Sequence, residues 1–221
     1  MNERPILMNG DMVRALLDGR KTQTRRPLRR DISGRVGRSG RSWHLDDPAC
    51  VNACPFGQPG DRLWVRETHG FCPRHMGVDR WSYTPEEARA IYAADGVPKL
   101  SGPRGFWSPK MRPSIHMPRW ACRIVLEIVD VRVQRLRDIT GEEAKAEGLR
   151  GVTKDGARVK WGIPDADGLP GTDDYGWPWR EWSADPRQAF RKIWDDCYAK
   201  RGNGWDANPW VWVVEFRRVE A

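Results

Sequence analysis

Apolar residues along this chain fall into a few short periodic runs separated by long polar stretches. The strongest run covers residues 120–133, where Ile124, Leu126 and Ile128 alternate with Arg123, Val125 and Glu127; the spacing predicts a strand that bends near Asp130. Residues 210–219 alternate in the same way, Trp212, Val214 and Phe216 against Val213 and Glu215. A shorter alternation over residues 62–67 follows the turn Pro59-Gly60-Asp61. Residues 11–18 instead place Val13, Leu16 and Leu17 at helical spacing, with Asn9 to cap the start and Gly19 to close the end. Residues 21–26 then run out as an extended segment. Thr84-Pro85-Glu86-Glu87 has the capping-box form and predicts a short helix. Thr140-Gly141-Glu142-Glu143 predicts another, which Gly148 can end. Asp185-Pro186 opens the best helix, with Phe190, Ile193, Trp194, Cys197 and Tyr198 on its apolar side.

Strands far apart in sequence, with helices between them, point to an α+β chain built on a small mixed or antiparallel β-barrel with helices at its ends. No internal repeat or domain boundary is visible, so residues 1–221 read as one domain. The stretches at about 30–58, 69–118 and 150–184, crowded with Gly, Pro, Asp and Trp, read as long loop insertions around that core.

Charge narrows the partner. Lys and Arg total 38 against 30 Asp and Glu, a net +8, which suits an anionic partner such as a nucleic acid or nucleotide. No apolar run is long enough for a membrane span, and no apolar segment of signal-peptide length follows Met1. With an odd count of five cysteines, the expectation is a cytoplasmic chain with reduced thiols. Of 13 tryptophans, Trp107, Trp177, Trp179 and Trp205 fall in Pro/Gly-rich stretches, where an indole either stacks on a base or pins a loop to the core; pinning is the expectation for most.

The candidate chemistry centres on Gly19-Arg20-Lys21-Thr22-Gln23-Thr24-Arg25-Arg26. Neighbouring cations push a lysine toward its neutral form. A neutral amine can act as base, and a hydroxyl beside it as nucleophile. The same residues also suit a basic turn that grips phosphate without chemistry. His116, just before the central strand, is a further candidate for the site. Trp205, Asp206 and Asn208, just before the last strand, either read a base edge or form an Asx turn. His44, Cys50, Cys54, Cys72 and His75 offer a tetrahedral zinc set at a spacing unlike a standard finger; the other reading is ordinary thiols in loops. No multi-carboxylate cluster supports a metal-dependent nuclease, and neither metal nor cofactor is expected.

These residues resemble the ASCH domain, a branch of the PUA-like β-barrel superfamily. Its signature is Gly-x-Lys-x-x-Glu-x-Arg after a first helix; Gly19, Lys21 and Arg26 match, and Thr24 stands at the Glu position. The pattern Gly-Arg-Lys-Thr-x-Thr-x-Arg is similar to that of the small bacterial ASCH amidohydrolases that deacylate N4-acetylcytidine. Gly60-Asp61-Arg62-Leu63-Trp64-Val65 resembles the barrel's Gly-Asp-x-Leu turn and strand, and Leu136-Arg137-Asp138-Ile139-Thr140 precedes the expected helix. The resemblance implies Thr24 as nucleophile, Lys21 as base, and Glu147 as orienter or proton relay, its place counted from Thr140 with Glu142 and Glu143 nearby; a Glu-activated water is the other route. Thr22 would support by hydrogen bonding, and Arg26 would hold substrate or stabilise developing charge. Apart from the resemblance, Arg20, Trp64, His116, Arg119, Trp205, Asp206 and Asn208 are the further expected substrate contacts. The implied partner is a modified pyrimidine nucleoside or a nucleic acid; the alternative is a non-catalytic PUA-like reader of RNA or modified DNA. Over its full length, with the 113–120 and 205–212 motifs, the chain resembles phage and prophage proteins of no settled function.

Overall fold

The structure, a computed structural model, describes residues 1–28, 51–73, 84–98, 100–102, 105–154 and 156–219. Its centre is the antiparallel pair β8 (Val125–Arg135) and β11 (Trp210–Val219). Successive side chains on a strand point to opposite faces. On β11 both faces are apolar, so both are covered. Trp212, Val214 and Phe216 enter one core, and Val211 and Val213 enter a second. A bulge separates the pairs Glu215–Asp130 and Phe216–Ile128, leaving Val129 as the extra residue on β8. This is the bend expected near Asp130.

Three more strands complete the sheet. Strand β1 (Glu3–Leu7) pairs in parallel with β3 (Arg62–Arg66), β3 pairs with β8, and β2 (Gln23–Pro27) pairs antiparallel with β11. The order is β1-β3-β8-β11-β2. The chain is therefore α+β as expected, but its sheet is open: β1 and β2 are edges, and no ladder joins them among the described residues. One side chain reaches across. Arg26 Nη2 donates to the Leu7 carbonyl at 2.8 Å, a link that a ladder would make with backbone groups.

Helix α1 (Gly10–Leu17) starts where Asn9 Oδ1 accepts from the Met12 amide at 2.9 Å, and it sets Val13 and Leu16 into the first core. The second core lies on the opposite face of the sheet. Helix α2 (Gly141–Ala146) and helix α3 (Pro186–Tyr198) cover it with Ala144, Ala189, Phe190 and Trp194. Both carry the caps that the sequence predicts: a complete Thr140/Glu143 box on α2, and Asp185 accepting from Arg187 N on α3.

The insertions hold more regular structure than their composition suggests. Strands β4 (His69–Pro73) and β5 (Ala88–Tyr92) form a hairpin, as do β6 (Leu100–Gly102) with β7 (Gly105–Trp107) and β9 (Arg150–Thr153) with β10 (Val159–Gly162). The Thr84 capping box closes a single turn: Thr84 N donates to Glu87 Oε2 at 3.0 Å, and the chain then enters β5. Helix propagation needs an apolar stripe to bury, and pairing of residues 88–92 with β4 competes successfully. Residues 119–121 form a 3₁₀ turn, so β8 begins at Val125 and not at 120–122. Tryptophan pinning is visible at Trp205, which lies in the second core. No helix among the described residues is long and apolar enough to cross a membrane.

The end of α2 leans on α1 at Gly148. Its φ is +110°, and a Cβ there would lie 2.7 Å from Ala15 Cβ. Gly148→Ala should therefore destabilise the fold by about 1–3 kcal/mol through backbone strain and this clash. Urea or thermal unfolding checks it; an unchanged midpoint would show that α1 and α2 are not locked at this contact.

Candidate functional site

Sheet alternation and one helix end build a buried cluster of charge. On β2, Arg25 pairs with Val213 of β11, and Val213 pairs in turn with Arg132 of β8. Residues in register share a face, so Arg25 and Arg132 flank Val213 on the side that α2 covers. Residues four apart on a helix also share a face, and α2 presents Glu143 and then Glu147 there. The capping box holds Glu143 in place, its Oε2 accepting from Thr140 N at 2.8 Å. The same carboxylate bridges the two sheet cations, with Arg25 Nη2 at 3.2 Å and Arg132 Nη2 at 2.5 Å.

At the C-terminal end of α2, Glu147 Oε2 accepts from Lys21 Nζ at 2.8 Å and Oε1 accepts from Arg25 Nη1 at 3.0 Å. Lys21 Nζ also donates to the Glu147 carbonyl at 3.0 Å. Backbone contacts hold the lysine from both sides. Lys21 N donates to Ala15 O of α1, Thr22 N donates to Ala146 O of α2, and Lys21 forms an isolated antiparallel bridge with Glu147. The Lys21 and Arg25 side chains are 0% exposed and that of Glu147 is 4% exposed, so water screens none of them appreciably.

Burial sets the electrostatics. It holds the Lys21 ammonium below its ordinary pKa, against the Glu147 carboxylate, which pulls it back up; Arg26 and Arg25 add to the lowering. The lowering expected from the arginine cluster is therefore present, with desolvation as its main cause. Glu143 is pushed up by burial, but the Thr140 amide and the Arg25 and Arg132 guanidinium groups outweigh this and leave it lowered.

Thr24 is brought near in sequence but not into the hydrogen-bonded cluster. It pairs with Val214, one position along from Arg25, which turns it to the other face of β2. It is wholly buried and its Oγ1 has no hydrogen-bond partner. Such a hydroxyl is uncommon inside a fold and costs stability. Thr22 is exposed. Arg26 is half-buried, its Nη1 donating to Tyr198 Oη at 3.1 Å as well as to Leu7 O through Nη2. Arg20 donates to the Gly148 carbonyl and to Asp18 at 2.9 Å, and it lines a cavity of about 470 Å³ between α1 and the 163–168 segment, with Arg14, Arg150 and Tyr175.

The other expected contacts lie elsewhere. Trp64 is on β3, three places from β2 in the sheet order. Arg119 lies 5.9 Å from its ring centroid and pairs with Glu3 at 2.7 Å, while His116 is exposed in a 3₁₀ turn. Trp205, Asp206 and Asn208 do not form a base-reading edge. Trp205 is in the second core, Asp206 pairs with Arg191 at 2.9 Å, and Asn208, at φ +42°, accepts from Arg137 N at 2.9 Å. These side-chain bonds run to α3 and to the 136–138 turn, not to the local backbone as an Asx turn requires. For zinc, His44, Cys50 and His75 lie outside the described residues. Cys54 packs in the first core, where burial pushes its thiol up, and no group of three potential ligands occurs among the described residues.

Arg25 and Glu143, which were expected only as neighbours of the Lys21–Thr24–Glu147 set, are full members of the cluster. Two signals pointed to them: Arg25 is four residues from Lys21, at even spacing on an extended segment, and Glu143 is one helical turn before Glu147. A further buried group was missed. His69 is wholly buried with Nε2 unpartnered, and burial lowers its pKa. Comparison with family models, with curated proteins and with solved structures gives no match to this chain.

The Lys21 shift makes a pH prediction. A lysine lowered in the folded state releases its proton there before the unfolded chain does, at about 10.4. Between those two values the unfolded state binds more protons, so this group's contribution to stability rises with pH. The stability of the wild type relative to Lys21→Met should thus improve as pH climbs toward that value. Urea titrations at several pH values check this, and a flat difference would mean Lys21 is not lowered.

Proposed function

We propose that the protein is an amidohydrolase of PUA-like architecture that removes an acyl group from N4 of cytidine or of a related modified nucleoside, in a cytoplasmic and phage-associated setting. One observation carries the reading: Lys21, in the Gly19–Arg26 pattern, is buried and lowered against Glu147. The unpartnered Thr24 hydroxyl three residues on adds to it.

In this mechanism neutral Lys21 takes the Thr24 proton as Oγ attacks the acyl carbon, and Glu147 holds the resulting ammonium. Collapse of the tetrahedral adduct breaks the C–N4 bond, and the departing amine receives that proton. Water, deprotonated by Lys21, then cleaves the acyl-threonine. The sum is amide plus water giving carboxylic acid plus amine, with no cofactor. Arg26, further along β2, holds substrate or the developing oxyanion. Because Thr24 is sealed on the other face of β2 from Arg25, this mechanism requires substrate binding to uncover the hydroxyl and turn it toward Lys21.

The second reading is a non-catalytic module that binds RNA or modified DNA. It is favoured by one observation: Lys21, Thr24 and Arg25 are all buried, and Lys21 and Arg25 as they stand tie this edge of the sheet to α2.

Deacylation of N4-acylcytidines separates the two. Thr24→Ala and Lys21→Ala should each lower kcat/KM by about a hundredfold or more, and the double variant should be scarcely worse, because the pair acts as a unit. Thr24→Ser, which keeps the hydroxyl, should retain activity. Wild-type inactivity across acylated nucleosides and polymers, with salt-sensitive nucleic-acid binding retained, selects the binding module.

A further inference from the structure

The 150–184 insertion carries a second feature that neither reading of the Lys21 cluster uses. Lys154 follows β9, Arg158 precedes β10 and Lys160 lies on it, so the hairpin carries a run of cations. Beside this hairpin runs a tryptophan-rich segment that is locked onto it. Trp161 and Ser183 exchange both backbone hydrogen bonds, at 2.7 and 3.1 Å. Trp182 is buried over Gly162, where a Cβ would lie 2.5 Å from the indole, and its Nε1 donates to Trp177 O at 2.9 Å. The result is a rigid 3₁₀ turn, Trp179–Glu181, that begins with an indole belonging to neither buried core.

That indole is surrounded by cations. Lys154 Nζ and Lys160 Nζ each lie 4.9 Å from the Trp179 ring centroid. Lys192 Nζ lies 4.2 Å from Trp177, and Arg180 is exposed next to them. Glu181 pairs with Lys192. Lysines over a partly exposed ring are held weakly, so they yield to a better ligand. A flat unpaired base offers a π-face to the indole, and its phosphates offer the displaced ammonium groups a stronger partner. A duplex offers the phosphates but no free base face.

We propose that the β9–β10 hairpin and the 177–182 segment form a binding platform for single-stranded nucleic acid, with Trp179 as the stacking surface and Lys154, Lys160 and Lys192 as phosphate contacts. The platform starts three residues after Glu147, so in the amidohydrolase reading it would bring a polymeric substrate to the cluster, but it stands without that reading.

The test is fluorescence anisotropy of the full chain with labelled twelve-nucleotide single strands of DNA and RNA, with the matching duplex and with phosphatidylglycerol-containing vesicles as comparisons. Wild type should bind the single strands at low salt. Trp179→Ala should weaken binding on the order of tenfold, and Trp179→Phe, which keeps a ring, should restore most of it. The Lys154→Gln/Lys160→Gln double variant should flatten the salt dependence by about one to two ion equivalents. Near-ultraviolet circular dichroism shows that each variant is folded. Failure to bind single strands, equal affinity for duplex with no response to Trp179→Ala, or binding to vesicles alone would each overturn the proposal. None of these readouts depends on deacylation, so loss of the enzymatic reading leaves the result interpretable.

Discussion

Burying Arg25 on an edge strand and Lys21 just before it is possible only because α2 ends beside them with two carboxylates on the facing side. Isolated ions at these positions would be expelled or neutralised. Removing one partner of such a set typically costs about 3–5 kcal/mol, since the other is left uncompensated. The cluster thus joins three things that the chain makes separately: β2, the central pair β8–β11, and α2. It also fixes register. A slip of β2 by one residue would turn Arg25 away from Glu143 and carry Thr24 to the helix face.

The arrangement depends in turn on β11. An ordinary sheet with one wet face would expose Arg25 and Arg132 to water, and their pairs with Glu143 would then contribute little. Because Val211 and Val213 carry a second core, α2 and α3 must cover that face, and Glu143 is drawn down over Val213. The apolar requirement of one strand therefore creates the dry surroundings in which the charged groups interact strongly. The same burial, more than the neighbouring arginines, lowers Lys21.

How far this was legible in the sequence differs by element. Residues 210–219 and 62–66 could be read because alternation is a direct consequence of strand geometry, and α1, α2 and α3 because their caps precede an apolar stripe. The Thr84 box shows the limit: its local bonds form, but residues 88–92 gain more from pairing with β4. Closure of the barrel could not be read either, since it rests on pairing between β1 and β2, and a hydrophobic pattern says which face is buried but not which edge meets which. In the site, Lys21 with Glu147 was legible from the Gly19–Arg26 pattern and the distance from Thr140. The exclusion of Thr24 from the hydrogen-bonded set required the strand's phase, which the motif alone does not carry.

In the amidohydrolase reading the cluster would have to satisfy two demands that usually conflict. A structural ion pair holds best when both partners stay charged, while a base must be free to lose its proton. Glu147 resolves this through its two oxygens. Oε2 faces Lys21 and Oε1 faces the Arg25 guanidinium. When Lys21 is neutral, Glu147 keeps a charged partner and the strand stays fastened. When Lys21 is an ammonium, Oε2 and the Glu147 carbonyl both accept from it. Arg25 is therefore the member that lets the lysine change protonation state without loss of the β2–α2 lock. A site that only needed to fasten a strand would be complete with Arg25 and the two glutamates, and Lys21 is the group that this requirement leaves over.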